Sequence, residues 1–245
     1  MSEPLVLFER DDSIVTLTLN RPDKRNALNL ALWSELAAHL DSIEAAGDNI
    51  GVVILRATGP VFCAGNDLKE RGAKLPSRYY QAKIVTRLAE LAQPVIVAVQ
   101  GGCFTGGLEL ILAGDIIVAS ESASFADTHG KFALVPAWGM SQRLPRRVGQ
   151  WKAREMSFTG LPVSGAEAAQ IGLANHCVPD AELDAKVRAL ADAIASQSRH
   201  SVFAYKRLYA EQADLPLAAG LAHEVFASAG LGPDFAERVS GQFGT

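Results

Sequence analysis

The sequence predicts an α/β core followed by a helical lobe, and three observations lead there. Val52-Val53-Ile54-Leu55 and Val95-Ile96-Val97-Ala98-Val99 are short apolar runs bounded by turn residues, the pattern of strands covered on both faces. Stretches of helical period separate such runs, and strands alternating with helices argue for an α/β core. From Gly149 onward β-rich runs almost vanish while helical periodicity continues. The boundary is placed near Gly160 to Val163, so that residues 1–160 form the core and 161–245 the helical lobe.

Each element has its own justification. Ser13 to Leu19 alternates apolar and polar residues, as a strand with one covered face does. Pro22-Asp23 then forces a turn. Leu28, Leu32, Leu36, Leu40 and Ile43 recur at helical spacing, with Asn29 as the expected N-cap and Gly47 just past the end. A strand over Val52 to Ala57, a helix over Tyr79 to Leu91 and a strand over Val95 to Val99 follow. A helix from Leu108 to Ala113 and a strand from Ile116 to Ala119 close the core. In the lobe, Asp184 to Ala195, Val202 to Gln212 and Leu217 to Ala229 read as helices.

The composition narrows the function. With 245 residues, 49% hydrophobic and 20% charged, the chain has apolar material for one large domain or one domain with an appended lobe. The net charge of −4 arises from 23 basic and 27 acidic residues spread along the chain, so no basic stripe points to nucleic acid. Cys63, Cys103 and Cys177 are widely spaced, with no CxxC pair and no histidine at metal-ligand spacing, which reads as reduced cysteines and no metal site. The start Met1-Ser2-Glu3-Pro4-Leu5 has no basic and apolar leader pattern, and no apolar run approaches the ~18 residues of a membrane span. The expectation is a cytoplasmic protein.

The chemistry is carried by two glycine-rich turns, Phe62-Cys63-Ala64-Gly65-Asn66-Asp67-Leu68 and Gly101-Gly102-Cys103-Phe104-Thr105-Gly106-Gly107-Leu108-Glu109, each just beyond an apolar run. Two such turns can aim two backbone N–H groups at one oxygen, and the second leads into a helix whose first N–H groups are unpaired. A lone glycine would more simply mark a tight turn or close packing. Glu109 lies among Leu108, Leu110, Ile111 and Leu112, where a carboxylate is costly unless paired, protonated or facing a cleft. It could also serve only as a helix-start carboxylate.

Arg21-Pro22-Asp23-Lys24-Arg25-Asn26-Ala27-Leu28, the Ala64 to Leu68 turn, the Gly106 to Glu109 turn and Pro136-Ala137-Trp138-Gly139-Met140-Ser141-Gln142-Arg143-Leu144 follow one another in a recognisable order. In that order and spacing the chain resembles the crotonase superfamily, and in particular its enoyl-CoA hydratases and isomerases. The resemblance runs from about Leu5 to Glu237. It implies a crotonase-like spiral of repeated ββα units, whose helical end packs at the interface of a homotrimer or dimer of trimers. It implies an acyl-CoA thioester as substrate, with coenzyme A entering only as part of that substrate and no separate cofactor.

Carried over by position, the resemblance assigns the oxyanion-hole donors to the backbone N–H groups of Asn66 and Gly106. It makes Glu109 the base that holds and deprotonates water. The second glutamate of the hydratase pair is replaced by His129, a residue able to exchange protons near neutral pH or simply to hydrogen-bond beside the pocket. Asp127, two residues earlier, would share a face with His129 in extended chain and could orient it or act as the missing carboxylate. Lys24 and Arg25, with Lys69, are the nearest cations for the phosphates of coenzyme A, unless they are simply solvated. Ala27, Ala64, Gly65, Asp67 and Leu68 line the same site by position. Trp138 either lines and narrows the acyl pocket or only packs. Isomerisation, decarboxylation or hydrolysis on the same scaffold, and acyl-CoA binding without turnover, are the competing readings.

Overall fold

The computed structural model describes residues 3–70 and 74–242. It opens with a hairpin of β1 (Val6–Asp11) and β2 (Ile14–Leu19), turned at Asp12 with φ +51°. There follow α1 (Leu30–Ala46), β3 (Val52–Ala57), α2 (Tyr80–Glu90), β4 (Val95–Val99), β5 (Gly102–Phe104), α3 (Gly106–Ile111), β6 (Ile116–Ser120) and β7 (Ser124–Ala126). The remainder holds α4 (Met140–Val148), α5 (Gln150–Thr159), β8 (Val163–Ser164), α6 (Gly165–Gln170), β9 (His176–Val178), α7 (Leu183–Ala195), α8 (Arg199–Gln212), α9 (Leu217–Ala227) and α10 (Phe235–Gln242).

The strands lie in two layers. One sheet has the order β1-β2-β3-β4-β6-β9, parallel from β2 onward, and the other the order β5-β7-β8. Each circuit of the chain leaves a long strand in the first sheet and then a short one in the second: β4 then β5, β6 then β7. After β3, Cys63 takes the corresponding place through a parallel bridge to Cys103. This is the spiral of repeated units, and both glycine-rich turns lie where the chain passes from the first sheet to the second.

The apolar runs lack alternation because both faces of the first sheet are covered. Val53 and Leu55 of β3 and Val95, Val97 and Val99 of β4 enter the main core with α1, α2 and α3. Val52, Ile54, Ile96 and Ala98 point the other way, onto Leu183, Val187 and Ala191 of α7. Helix α1 has the expected caps: the Asn29 side chain accepts from the Leu32 N–H at 3.0 Å, and Gly47 ends it at φ +51°. A cap of this type contributes about 0.5–2 kcal/mol.

Some boundaries differ from the sequence reading. Leu28 lies outside α1, because its backbone is bonded to the Gly65 to Asp67 segment instead. Helix α3 begins at Gly106, two residues before the expected start. The strands β8 and β9 lie beyond the expected core boundary and still pair with β7 and β6, so residues past Val163 complete both sheets. At two and three residues they are too short to show a period. Among the described residues no helix is long and apolar enough to cross a membrane.

Candidate active site

Packing of the two layers brings the two glycine turns together. The first is held from below by Asn26, whose side-chain amide donates to the carbonyls of Thr58 at 2.9 Å and Val61 at 2.8 Å. Leu28 N–H then donates to Gly65 O at 2.8 Å, and Asp67 N–H to Leu28 O at 3.0 Å. These two bonds flank Asn66, whose own N–H has no hydrogen-bond partner among the described residues. Gly65 needs its glycine: φ is +99°, and a Cβ would lie 3.1 Å from Phe104 O and 3.4 Å from Gly106 N.

The second turn is aimed by a strained residue. Thr105 has φ +52° and ψ −109°, a region that side chains rarely adopt and that costs of order 1–3 kcal/mol. The surroundings hold it there: its N–H donates to Ala126 O at 2.9 Å, and its Oγ1 accepts from Thr128 N–H at 3.3 Å and meets the Thr128 hydroxyl. Gly106 then starts α3 with an N–H that has no partner among the described residues. A Cβ placed on Gly106 would lie 3.3 Å from Asn66 N, and one on Gly65 3.4 Å from Gly106 N, so the two free N–H groups lie close together. Two unpaired donors around one space are what a carbonyl oxygen gaining negative charge requires.

Beside that space lies an ionisable triad. Glu109 is 2% exposed, and its Oε1 accepts the N–H groups of Trp138 at 2.7 Å and Met140 at 3.3 Å, at the start of α4. Burial pushes its carboxyl above the usual range, against the pull of those two N–H groups and of His129. Its other oxygen, Oε2, stands 3.6 Å from His129 Nε2, and His129 Nδ1 is 2.6 Å from Asp127 Oδ1. Burial raises the Asp127 carboxyl too, but bonds from the His129 ring, the Ser157 side chain of α5 and the His129 N–H outweigh it and hold the group below its ordinary value. Asp127 and His129 do meet, though not across a shared strand face. The chain has left β7 at Ala126, and Asp127 Oδ1 accepts the His129 N–H at 3.2 Å in a tight turn.

The remaining expected residues divide. Ala64, Gly65 and Asn66 form the first turn, and Ala64 N–H donates to Arg25 O at 2.9 Å. Asp67 braces the first turn. Its carboxylate is paired with Arg21 at 2.7 Å, while Arg21 also donates to Ala27 O at 2.9 Å. The Arg21 hydrogen bond holds Asp67 below the usual carboxylate range. Lys24, Arg25, Leu68 and Lys69 are exposed around the first turn, and the three cations make no ion pair among the described residues. Trp138 is half-buried, with its ring against Gly106. The sequence reading missed Thr105, Ser157 and the brace role of Asn26. The last was within reach, since a side-chain amide in a turn commonly ties nearby backbone.

The thiols below the site are inert in the folded chain. Burial pushes Cys63 up to about 12 and raises Cys103 as well. A disulfide-exchange reagent at neutral pH is expected to titrate no more than the half-buried Cys177 in the native protein. All three thiols should respond after unfolding. Rapid native labelling of Cys63 would contradict this packing.

Known proteins match most of this chain. Residues 9–229 match the family described as Enoyl-CoA hydratase/isomerase. An enoyl-CoA hydratase of Mycobacterium tuberculosis is 35% identical over 223 residues, covering 88% of this chain and 84% of that protein. The crystal structure of an enoyl-CoA hydratase from Bacillus anthracis superposes with a TM-score of 0.90 at 34% identity, covering 98% of this chain and 96% of that one. A chain from Thermobifida fusca YX solved in complex with acetoacetyl-CoA gives a TM-score of 0.83 at 28% identity, over 91% and 93% of the two chains. The fold and a match across most of the sequence agree, and the chain belongs to the enoyl-CoA hydratase/isomerase family.

Proposed function

We propose that this chain adds water across the 2,3 double bond of an enoyl-CoA thioester. One observation carries the reading: the unpaired N–H groups of Asn66 and Gly106 border one space beside the Glu109–His129 pair. The thioester carbonyl oxygen docks between the two N–H groups, which stabilise the enolate as it forms. Glu109 takes a proton from water while the hydroxyl adds at Cβ. The electron pair of the double bond moves onto the thioester, and Cα then receives a proton from His129 Nε2. Glu109 and His129, 3.6 Å apart, pass the proton back and close the cycle. Asp127 fixes the orientation of the imidazole through Nδ1.

No metal or separate cofactor enters this scheme. Lys24, Arg25 and Lys69 supply positive charge at the rim for the phosphates of coenzyme A, and Ala27, Ala64, Gly65 and Leu68 flank the bound thioester. Self-association belongs to the same reading. Helices α8 and α9 bury no residue, while Leu217 is 79% and Phe226 89% exposed. Apolar surface of this kind marks an interface, here that of a homotrimer or dimer of trimers, measurable as molar mass by light scattering.

The test is loss of enoyl-thioester absorbance with crotonyl-CoA, with the 3-hydroxyacyl product identified. The wild type is expected to turn over, and His129→Ala to lower kcat by about 100-fold. A shifted double bond without hydration would favour isomerase chemistry. Tight binding with no turnover would favour a binding protein.

A further inference from the structure

We infer that Trp138 limits the acyl chain this site accepts, so that its preferred substrates are short enoyl thioesters; the inference rests on the hydratase reading above. The backbone of Trp138 is pinned on both sides. Its N–H donates to Glu109 at 2.7 Å, and its carbonyl accepts from Arg143 Nη1 at 2.8 Å. Its ring then reaches across to the other half of the site, where a Cβ on Gly106 would lie 2.5 Å from Trp138 Cζ3 and 3.3 Å from Asn66 N. One residue therefore touches Glu109 with its backbone and borders the oxyanion hole with its indole.

That placement constrains the substrate. The thioester carbonyl occupies the hole and Cβ faces Glu109, so the indole lies beside the reacting carbons, and any chain extending beyond the crotonyl methyl must pass it. The ring cannot readily withdraw. Trp33 of α1, fully buried, meets it edge-on at 5.1 Å with an interplanar angle of 80°. The Trp33 indole N–H has no hydrogen-bond partner among the described residues, so packing is what holds that ring in place. A crotonyl group ends before the obstruction. A long chain must displace an indole fixed by two backbone hydrogen bonds and an aromatic neighbour.

The test compares kcat/KM for crotonyl-CoA, hexenoyl-CoA and decenoyl-CoA in the wild type, Trp138→Ala and Trp138→Phe. The wild type should favour crotonyl-CoA over decenoyl-CoA by at least about 10-fold, the lower end of what a misfitting apolar pocket discriminates. Trp138→Ala should reduce that ratio by about 10-fold or more, chiefly by raising the decenoyl value, with Trp138→Phe between the two. If Trp138→Ala does not fold by circular dichroism, the Phe variant decides by the same shift in ratio. A wild type faster on decenoyl-CoA, or an unchanged ratio in a folded variant that still hydrates crotonyl-CoA, overturns the inference. Failure of the wild type on all three substrates overturns the hydratase reading itself, and the inference with it.

Discussion

Glu109→Gln is expected to lower kcat for crotonyl-CoA hydration by about 1,000-fold, within the range that general acid–base groups supply. The substitution isolates proton transfer. Glutamine has nearly the shape of glutamate, and its carbonyl can still accept the N–H groups of Trp138 and Met140 that fix the start of α4. It cannot take a proton from water or share one with His129. Burial raises the Glu109 carboxyl, so the folded protein already bears a cost for ionising it, and a neutral amide removes that cost. The melting temperature should therefore hold or rise while activity collapses. Activity within about tenfold of wild type would show that another group activates the water.

Gly106→Ala should produce the second largest loss, about 100 to 1,000-fold in kcat: alanine keeps the N–H, but its methyl crowds the hole enough to cost as much as losing one oxyanion donor. The added methyl would stand 2.5 Å from Trp138 Cζ3 and 3.3 Å from Asn66 N, directly against the space proposed for the carbonyl oxygen. The indole must shift and the hole is crowded. Gly106 does not have positive φ, so alanine adds no backbone strain and the loss reports the hole itself. Steady-state kinetics and a thermal melt on the same preparation separate the two effects. A variant keeping more than about a third of wild-type kcat would place the oxyanion elsewhere.

The parts of the fold that show in the sequence are those whose burial repeats. Strands β3 and β4 and helix α1 each carry enough apolar residues in period to declare themselves, and Asn29 and Gly47 mark the helix ends. Elements made by pairing rather than by period do not show. Strand β1 buries only Val6 fully at the sheet edge, and β5, β7, β8 and β9 run two or three residues each. Leu28 looked helical from its spacing, but the bridge to Asn66 claims its backbone.

The same division runs through the site. The two turns and Glu109 were legible because glycines beyond apolar strands and a carboxylate among leucines are local anomalies. The Arg21–Asp67 pair was not legible, because its partners lie 46 residues apart and no spacing rule joins them. The Asp127–His129 pair was legible from proximity alone, although a turn rather than a strand face makes the contact.

The bonds that hold Thr105 come from Ala126 and Thr128, the two residues on either side of Asp127. The loop that presents the imidazole is thus also the clamp on the bend that directs the Gly106 N–H. The His129 ring and the Gly106 N–H are mechanically a single part, positioned by one segment. A displacement of residues 126–129 would release the Thr105 strain and let the Gly106 amide swing away as the imidazole left. Under the proposed hydration chemistry such a part behaves as a latch: a chain whose loop is out of place would lose the imidazole and the Gly106 donor at once.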